Sequence, residues 1–116
     1  MTADQNTTST MTEALARLKP YVLAILRKGE NYNNPETKTI IQTEHLPHTF
    51  KQIENGILSI AMPMREENSE IAAIGIYNTT DKAEIRKWLD NDPAVIKGIF
   101  TFDLLNCIGM QGDGLK

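Results

Sequence analysis

Glu44-His45-Leu46-Pro47-His48-Thr49-Phe50-Lys51-Gln52-Ile53-Glu54-Asn55-Gly56-Ile57-Leu58 is the stretch on which the fold turns. Between two strands, Asn55-Gly56 would make a type I′ hairpin turn. After a helix, the same pair is a C-terminal cap in which the glycine supplies a positive φ. Ile40, Ile41, Leu46, Phe50 and Ile53 form an interrupted apolar stripe at helical spacing, and that stripe decides for the cap. Thr37 to Asn55 therefore reads as one helix. Pro47 lies inside it, lacks a backbone donor and crowds the preceding turn, so the helix should kink or restart there. His45 is then left at the break.

Working outward, Tyr21-Val22-Leu23-Ala24-Ile25-Leu26 has the length and the bulky apolar residues of a strand. Arg27 to Pro35 is a loop rich in turn formers. Ile57 to Met64 and Ile71 to Tyr77 read as two further strands, and the short charged link Arg65-Glu66-Glu67-Asn68-Ser69 makes them an antiparallel hairpin. Asp81 and Glu84 have capping-box spacing at the start of a second helix, with Ile85, Trp88 and Leu89 on its buried face. Asp92-Pro93 should end that helix, because the residue before proline is pushed out of the helical region. Ile99 to Leu105, after Gly98, is the fourth strand.

Residues 1–19 read as a polar extension. The first ten are too polar to bury anything, while Thr10 and Glu13, at capping-box spacing, allow a turn or two of helix before Pro20. Residues 20–106 form the domain. Residues 107–116, with Gly109, Gly112 and Gly114, read as a flexible tail.

The order of elements is βαββαβ, the ferredoxin-like split βαβ arrangement of the α+β class. It predicts a four-stranded antiparallel sheet with both helices on one face. In that connectivity the first helix begins, and the second ends, at the same edge of the sheet. His45 and Asp92 should converge there across 47 residues of sequence. The strands raise a second expectation. Val22, Ala24 and Leu26 alternate with Tyr21, Leu23 and Ile25, and Ala72, Ile74 and Ile76 with Ile71, Ala73 and Gly75, so both faces of the sheet are apolar. A sheet of that kind wants a second cover, and the simplest is a copy of itself, a homodimer.

Composition narrows the function. At 116 residues, 41% hydrophobic and 23% charged, the chain suits one globular domain with a real core. A net charge of −3 without a Lys/Arg cluster argues against nucleic acid as a partner. Cys107 is the single cysteine, which suits a reducing compartment. No apolar targeting segment or membrane span is visible, and the longest early apolar run, Tyr21 to Leu26, is too short to cross a bilayer. Cytoplasm and no membrane partner are the expectation.

Alone, a histidine at a helix break is more often a packing residue than a catalytic one, and an Asp-Pro helix end is common without chemistry. Together, a carboxylate on one ring nitrogen fixes the tautomer and leaves the other nitrogen as a base. No serine or cysteine is placed as a nucleophile, so proton abstraction, elimination or isomerisation fits better than acyl transfer. His45-x-x-His48 has no evident third ligand and Pro47 between its members, so no metal is expected. No cofactor is expected either. His48 reads as a cleft-rim residue, Arg27 and Tyr32 as residues able to close over a small anionic ligand, and Trp88 as core.

The chain resembles the YCII-related (YciI-like) domain proteins of the dimeric α/β barrel superfamily, from about Tyr21 to Leu105. The resemblance rests on His45-Leu46, on Gly56 eleven residues later, on Ala61-Met62-Pro63, and on Asp92-Pro93-Ala94-Val95 followed by Gly98. Leu26-Arg27-Lys28-Gly29-Glu30-Asn31-Tyr32 is similar to the segment after the first strand in one branch. The chain departs from the family where Met62 stands for a usual glycine, where Asn106-Cys107 stands for a frequent Pro-Trp, and in carrying Pro47. The resemblance implies a homodimer with His45 and Asp92 as a dyad beside a cleft. It also implies a small-molecule ligand, since a few members are enzymes on small ring compounds. A lyase or isomerase, a non-catalytic ligand-binding or regulatory dimer, and a structural homodimer are the three functional expectations.

Overall fold

The computed structural model describes residues 10–116, so the expectation for the first nine residues lies outside the described part. Its elements are β1 (Leu18–Lys28), α1 (Thr37–Ile40), a π-helical turn (Ile41–His45), α2 (Leu46–Glu54), β2 (Leu58–Pro63), β3 (Ile71–Tyr77), α3 (Lys82–Asp90), α4 (Pro93–Ile96) and β4 (Phe100–Met110). The strands form one sheet in the order β2-β3-β1-β4, every pair antiparallel. This is the ferredoxin-like α+β arrangement read from the sequence.

One face of the sheet holds the core. Val22, Ala24 and Leu26 of β1, Tyr77 of β3 and Leu104 of β4 are buried on it, and Ile85, Leu89 and Ala94 from the helical side complete the cluster. Ile85 and Leu89, one helical turn apart, hold α3 to the sheet; fully burying each contributes about 1.5–3 kcal/mol. Asp81 caps α3 by accepting the Glu84 N–H at 3.1 Å. Trp88 is only half-buried, stacked on Tyr77 at a ring separation of 6.1 Å, so it borders the core instead of filling it. On the opposite face Leu23, Ile25, Ile74 and Ile76 are half-exposed and Leu105 is exposed.

Two boundaries differ from the sequence reading. β1 begins at Leu18 and β4 continues to Met110, the two pairing for 11 residues each from Leu18–Met110 to Lys28–Phe100. Pairing to β3 stops at Val22–Tyr77, so the outer halves of β1 and β4 project as a two-stranded ribbon in a molecule of 62 × 30 × 22 Å. Pro20 is tolerated because it lies beyond the last β1–β3 pair, and Gly109 because Tyr21 packs over it. Residues 10–15 are helical, and the strand that follows begins at Leu18, two residues before Pro20.

The helix carrying His45 breaks as Pro47 dictates. The turn before it widens, and the Leu46 N–H bonds to the Ile41 carbonyl five residues back. Such π-turns absorb one residue where a regular ladder cannot continue. Asn55 and Gly56, with φ +74°, cap α2 and lead into β2.

Candidate active site

Three connections bring the site together. The loop after β1 is pinned to the turn before β4, where the Gly29 N–H donates to the Ile99 carbonyl at 2.7 Å and the Asn31 N–H to that of Gly98 at 3.0 Å. The Asn31 side chain adds a bond to the Lys97 carbonyl at 2.9 Å. Lys97 in turn pairs with Glu44 at 2.8 Å, which ties the π-turn to the end of α4. His45 and Asp92 lie inside this clasp.

His45 Nδ1–H donates to Asp92 Oδ2 at 2.6 Å, with the two residues 7% and 1% exposed. A carboxylate only accepts, so Nδ1 carries a proton, and the uncharged form of the ring has its lone pair at Nε2. Asp92 Oδ1 accepts the Ala94 N–H at 2.9 Å, capping α4. The sequence reading placed Asp92 at the end of the preceding helix; it is instead the N-cap of a short additional one, with Pro93 at the first position, where its missing N–H costs nothing. The His45 and Phe100 rings meet edge to face with centroids 5.0 Å apart, and Tyr32 also packs against Phe100, at 6.1 Å.

His45 Nε2 has no hydrogen-bond partner among the described residues, and no sealed-off side-chain nitrogen or oxygen lacks one, so Nε2 keeps an opening. The ring and Asp92 line a cavity of about 80 Å³ between α2 and the sheet. Its walls are mostly apolar, with Leu26, Leu58 and Leu89 among them, and Ala61-Met62-Pro63 on edge strand β2 form an exposed rim. Thr49, Gln52 and Tyr77 supply its other polar groups. Burial first, and the Asp92 charge second, push the Tyr77 phenol well above its ordinary range.

The remaining residues singled out in the sequence lie elsewhere. Arg27 continues the odd-numbered alternation of β1 onto the helix-free face and bonds Asp103 at 2.6 Å, which raises its pKa. His48 Nε2–H donates to the Trp88 carbonyl at 2.8 Å, joining α2 to α3. Tyr32 reaches the dyad only through Phe100, with Lys28 5.0 Å above its ring. None of the three lines the cavity. Gln52 does, although the sequence reading passed over it. Its signal was the spacing His45, Thr49, Gln52, which puts all three on one helix face.

Among the described residues no group of three or more His, Cys, Asp or Glu side chains is placed to hold a metal ion, and no helix is long and apolar enough to cross a membrane. No family model matches the chain, and no curated protein matches it. Among solved structures, the chain is similar to a 5-chloro-2-hydroxyhydroquinone dehydrochlorinase from Burkholderia phenoliruptrix, in complex with 2,5-dihydroxybenzoquinone. The likeness covers 80% of this chain and 95% of that one at 14% identity, with a TM-score of 0.46.

Proposed function

We propose that this is a YCII-related small-molecule-binding protein in which His45 is a general base and Asp92 its orienting partner. The reaction would be a lyase or isomerase step on a small cyclic or hydroxylated metabolite. The observation that carries the reading is the buried Nδ1–H···Oδ2 bond, which leaves Nε2 unpartnered on a residue that lines an apolar cavity. A neutral imidazole so held takes a proton from carbon or oxygen and returns it elsewhere, or lets a leaving group depart. The apolar helix-free face supports a homodimer, with Leu23, Ile25, Ile74 and Ile76 at the contact. The lone Cys107 goes with a cytoplasmic location.

A second reading has one specific observation behind it. Ligand pockets commonly measure about 300–1,000 Å³, and this cavity is about 80 Å³. In a non-catalytic ligand-binding or structural homodimer the pair would simply tie the π-turn to α4.

Proton exchange separates the two. Small hydroxylated rings and cyclic ketones are incubated with the protein in deuterated buffer and followed by NMR. Protein-dependent deuterium uptake or elimination that falls by about 10²–10⁴-fold in His45→Gln supports the base. Turnover unchanged in that variant, or no turnover of any compound alongside a fully formed dyad, favours the structural reading.

A further inference from the structure

The mechanism above uses one polar wall of the cavity; the other wall is built as carefully. Gln52 is 6% exposed, and its Oε1 accepts the Tyr77 hydroxyl at 2.6 Å. That bond uses the amide oxygen and turns the NH₂ group away from the phenol. The reversed amide would leave the Tyr77 hydroxyl proton and the Gln52 oxygen both without partners, so the hydroxyl fixes the orientation. No acceptor faces the Gln52 NH₂ among the described residues, yet no sealed-off side-chain polar atom is without a partner. The NH₂ therefore keeps an opening, and Gln52 is one of the residues that line the cavity. A nearly buried amide held in one orientation with two free donors is costly unless something accepts from them.

His45 and Gln52 are seven residues apart on one helix face, about 10 Å along the axis, with Thr49 between them. One group can take protons and the other can donate hydrogen bonds, and both residues line the same apolar space. We propose that Gln52 is the carbonyl-binding group of this site, that Tyr77 positions it, and that the ligand is a small enolisable carbonyl compound. The proposal rests on the reading of His45 as the base. The C–H bond next to the carbonyl breaks and its proton goes to His45 Nε2. The electron pair moves into a new C=C bond, and the carbonyl oxygen becomes an enolate oxygen held by the Gln52 N–H groups. Return of the proton to another carbon gives an isomer; departure of a group from the neighbouring carbon gives an elimination. Neither needs a further reactant. The cavity is about half the roughly 150 Å³ that accommodates benzene. It therefore takes the carbonyl-bearing edge of a ring, the rest lying at the rim formed by Ala61-Met62-Pro63.

The test uses hydroxyacetone as probe, with two readouts: the Gln52 side-chain amide resonances, and deuterium uptake at the carbon next to the carbonyl. Addition of hydroxyacetone should shift the Gln52 amide signals in wild type and in His45→Gln alike. Gln52→Glu, which keeps an acceptor for Tyr77 but removes the donors, should weaken binding by about tenfold, as should Gln52→Met if the added charge disturbs folding. Tyr77→Phe should split or broaden the Gln52 amide signals and weaken binding by about threefold. Unmoved Gln52 signals, with exchange that is lost in His45→Gln but unchanged in both Gln52 variants, would overturn this inference and leave the base in place. Shifted Gln52 signals with exchange independent of His45 would uphold the carbonyl site and remove the base. Neither shift nor exchange would overturn both.

Discussion

Replacing Asp92 by alanine removes two hydrogen bonds at once from a residue that is 1% exposed. Losing the N-cap on Ala94 costs about 1 kcal/mol. Losing the short charge-assisted bond to His45 costs about 1.5–3 kcal/mol more. The sum, about 2.5–4 kcal/mol, overlaps the ~3–5 kcal/mol usual when one member of a buried pair is deleted. Asp92→Asn retains an oxygen for the Ala94 N–H, and the other tautomer of the ring, with its proton on Nε2, can accept the Asn NH₂ at Nδ1, so that variant should lose only about 1–2 kcal/mol. Urea unfolding followed by Trp88 fluorescence at one fixed protein concentration measures both. With a slope of about 1.5 kcal/mol/M, the alanine variant should unfold about 2–3 M earlier than wild type and the asparagine variant in between. An alanine midpoint within about 0.5 M of wild type, at unchanged slope, would refute the claim that these bonds exist in solution.

Three further outcomes follow from other parts of the molecule. Burial and the Asp92 charge raise the Tyr77 phenol above its ordinary value, so the stability it contributes is complete below about pH 10 and fades as pH rises through the folded value. Its tyrosinate absorbance should appear only together with unfolding; reversible ionisation of all three tyrosines in the folded protein would contradict this. A Cβ on Gly29 would lie 2.3 Å from the Gly98 carbonyl oxygen, backbone against backbone, so Gly29→Ala should destabilise by about 1–3 kcal/mol in the same urea assay, and an unchanged midpoint would remove that contact. Light scattering should give about twice the 13.0 kDa chain mass for wild type and a single-chain mass for folded Leu23→Glu, and a monomeric wild type at micromolar concentration would end the dimer reading.

Much of this was legible in the sequence because it depends on local chemistry and connectivity. Helical periodicity before Asn55-Gly56 separated cap from hairpin, and the βαββαβ order then brought His45 and Asp92 to one edge. Pro47 announced the break at His45, though not that a wider turn would absorb it. The ribbon was not legible. Pro20 and Gly109 are strand breakers by type, and only the facing strand, matched residue for residue, makes them strand. Asp92-Pro93 carried two meanings, helix end and helix start, and the Ala94 N–H that chooses between them is a tertiary fact. Arg27 was readable from alternation with Leu26, which sends it to the opposite face from the core. His48 was not, since its partner is the Trp88 carbonyl 40 residues away.

The central claim is that Asp92 fixes the proton of His45 on Nδ1 and so frees Nε2 for chemistry. Long-range proton–nitrogen correlation NMR of the His45 ring, recorded where the imidazole is uncharged, reads this directly. Wild type should show a protonated Nδ1 and a bare Nε2, and Asp92→Asn, whose amide can accept or donate, should lose that preference. A wild-type ring with its proton on Nε2, or one averaging freely between the two nitrogens, would contradict the claim.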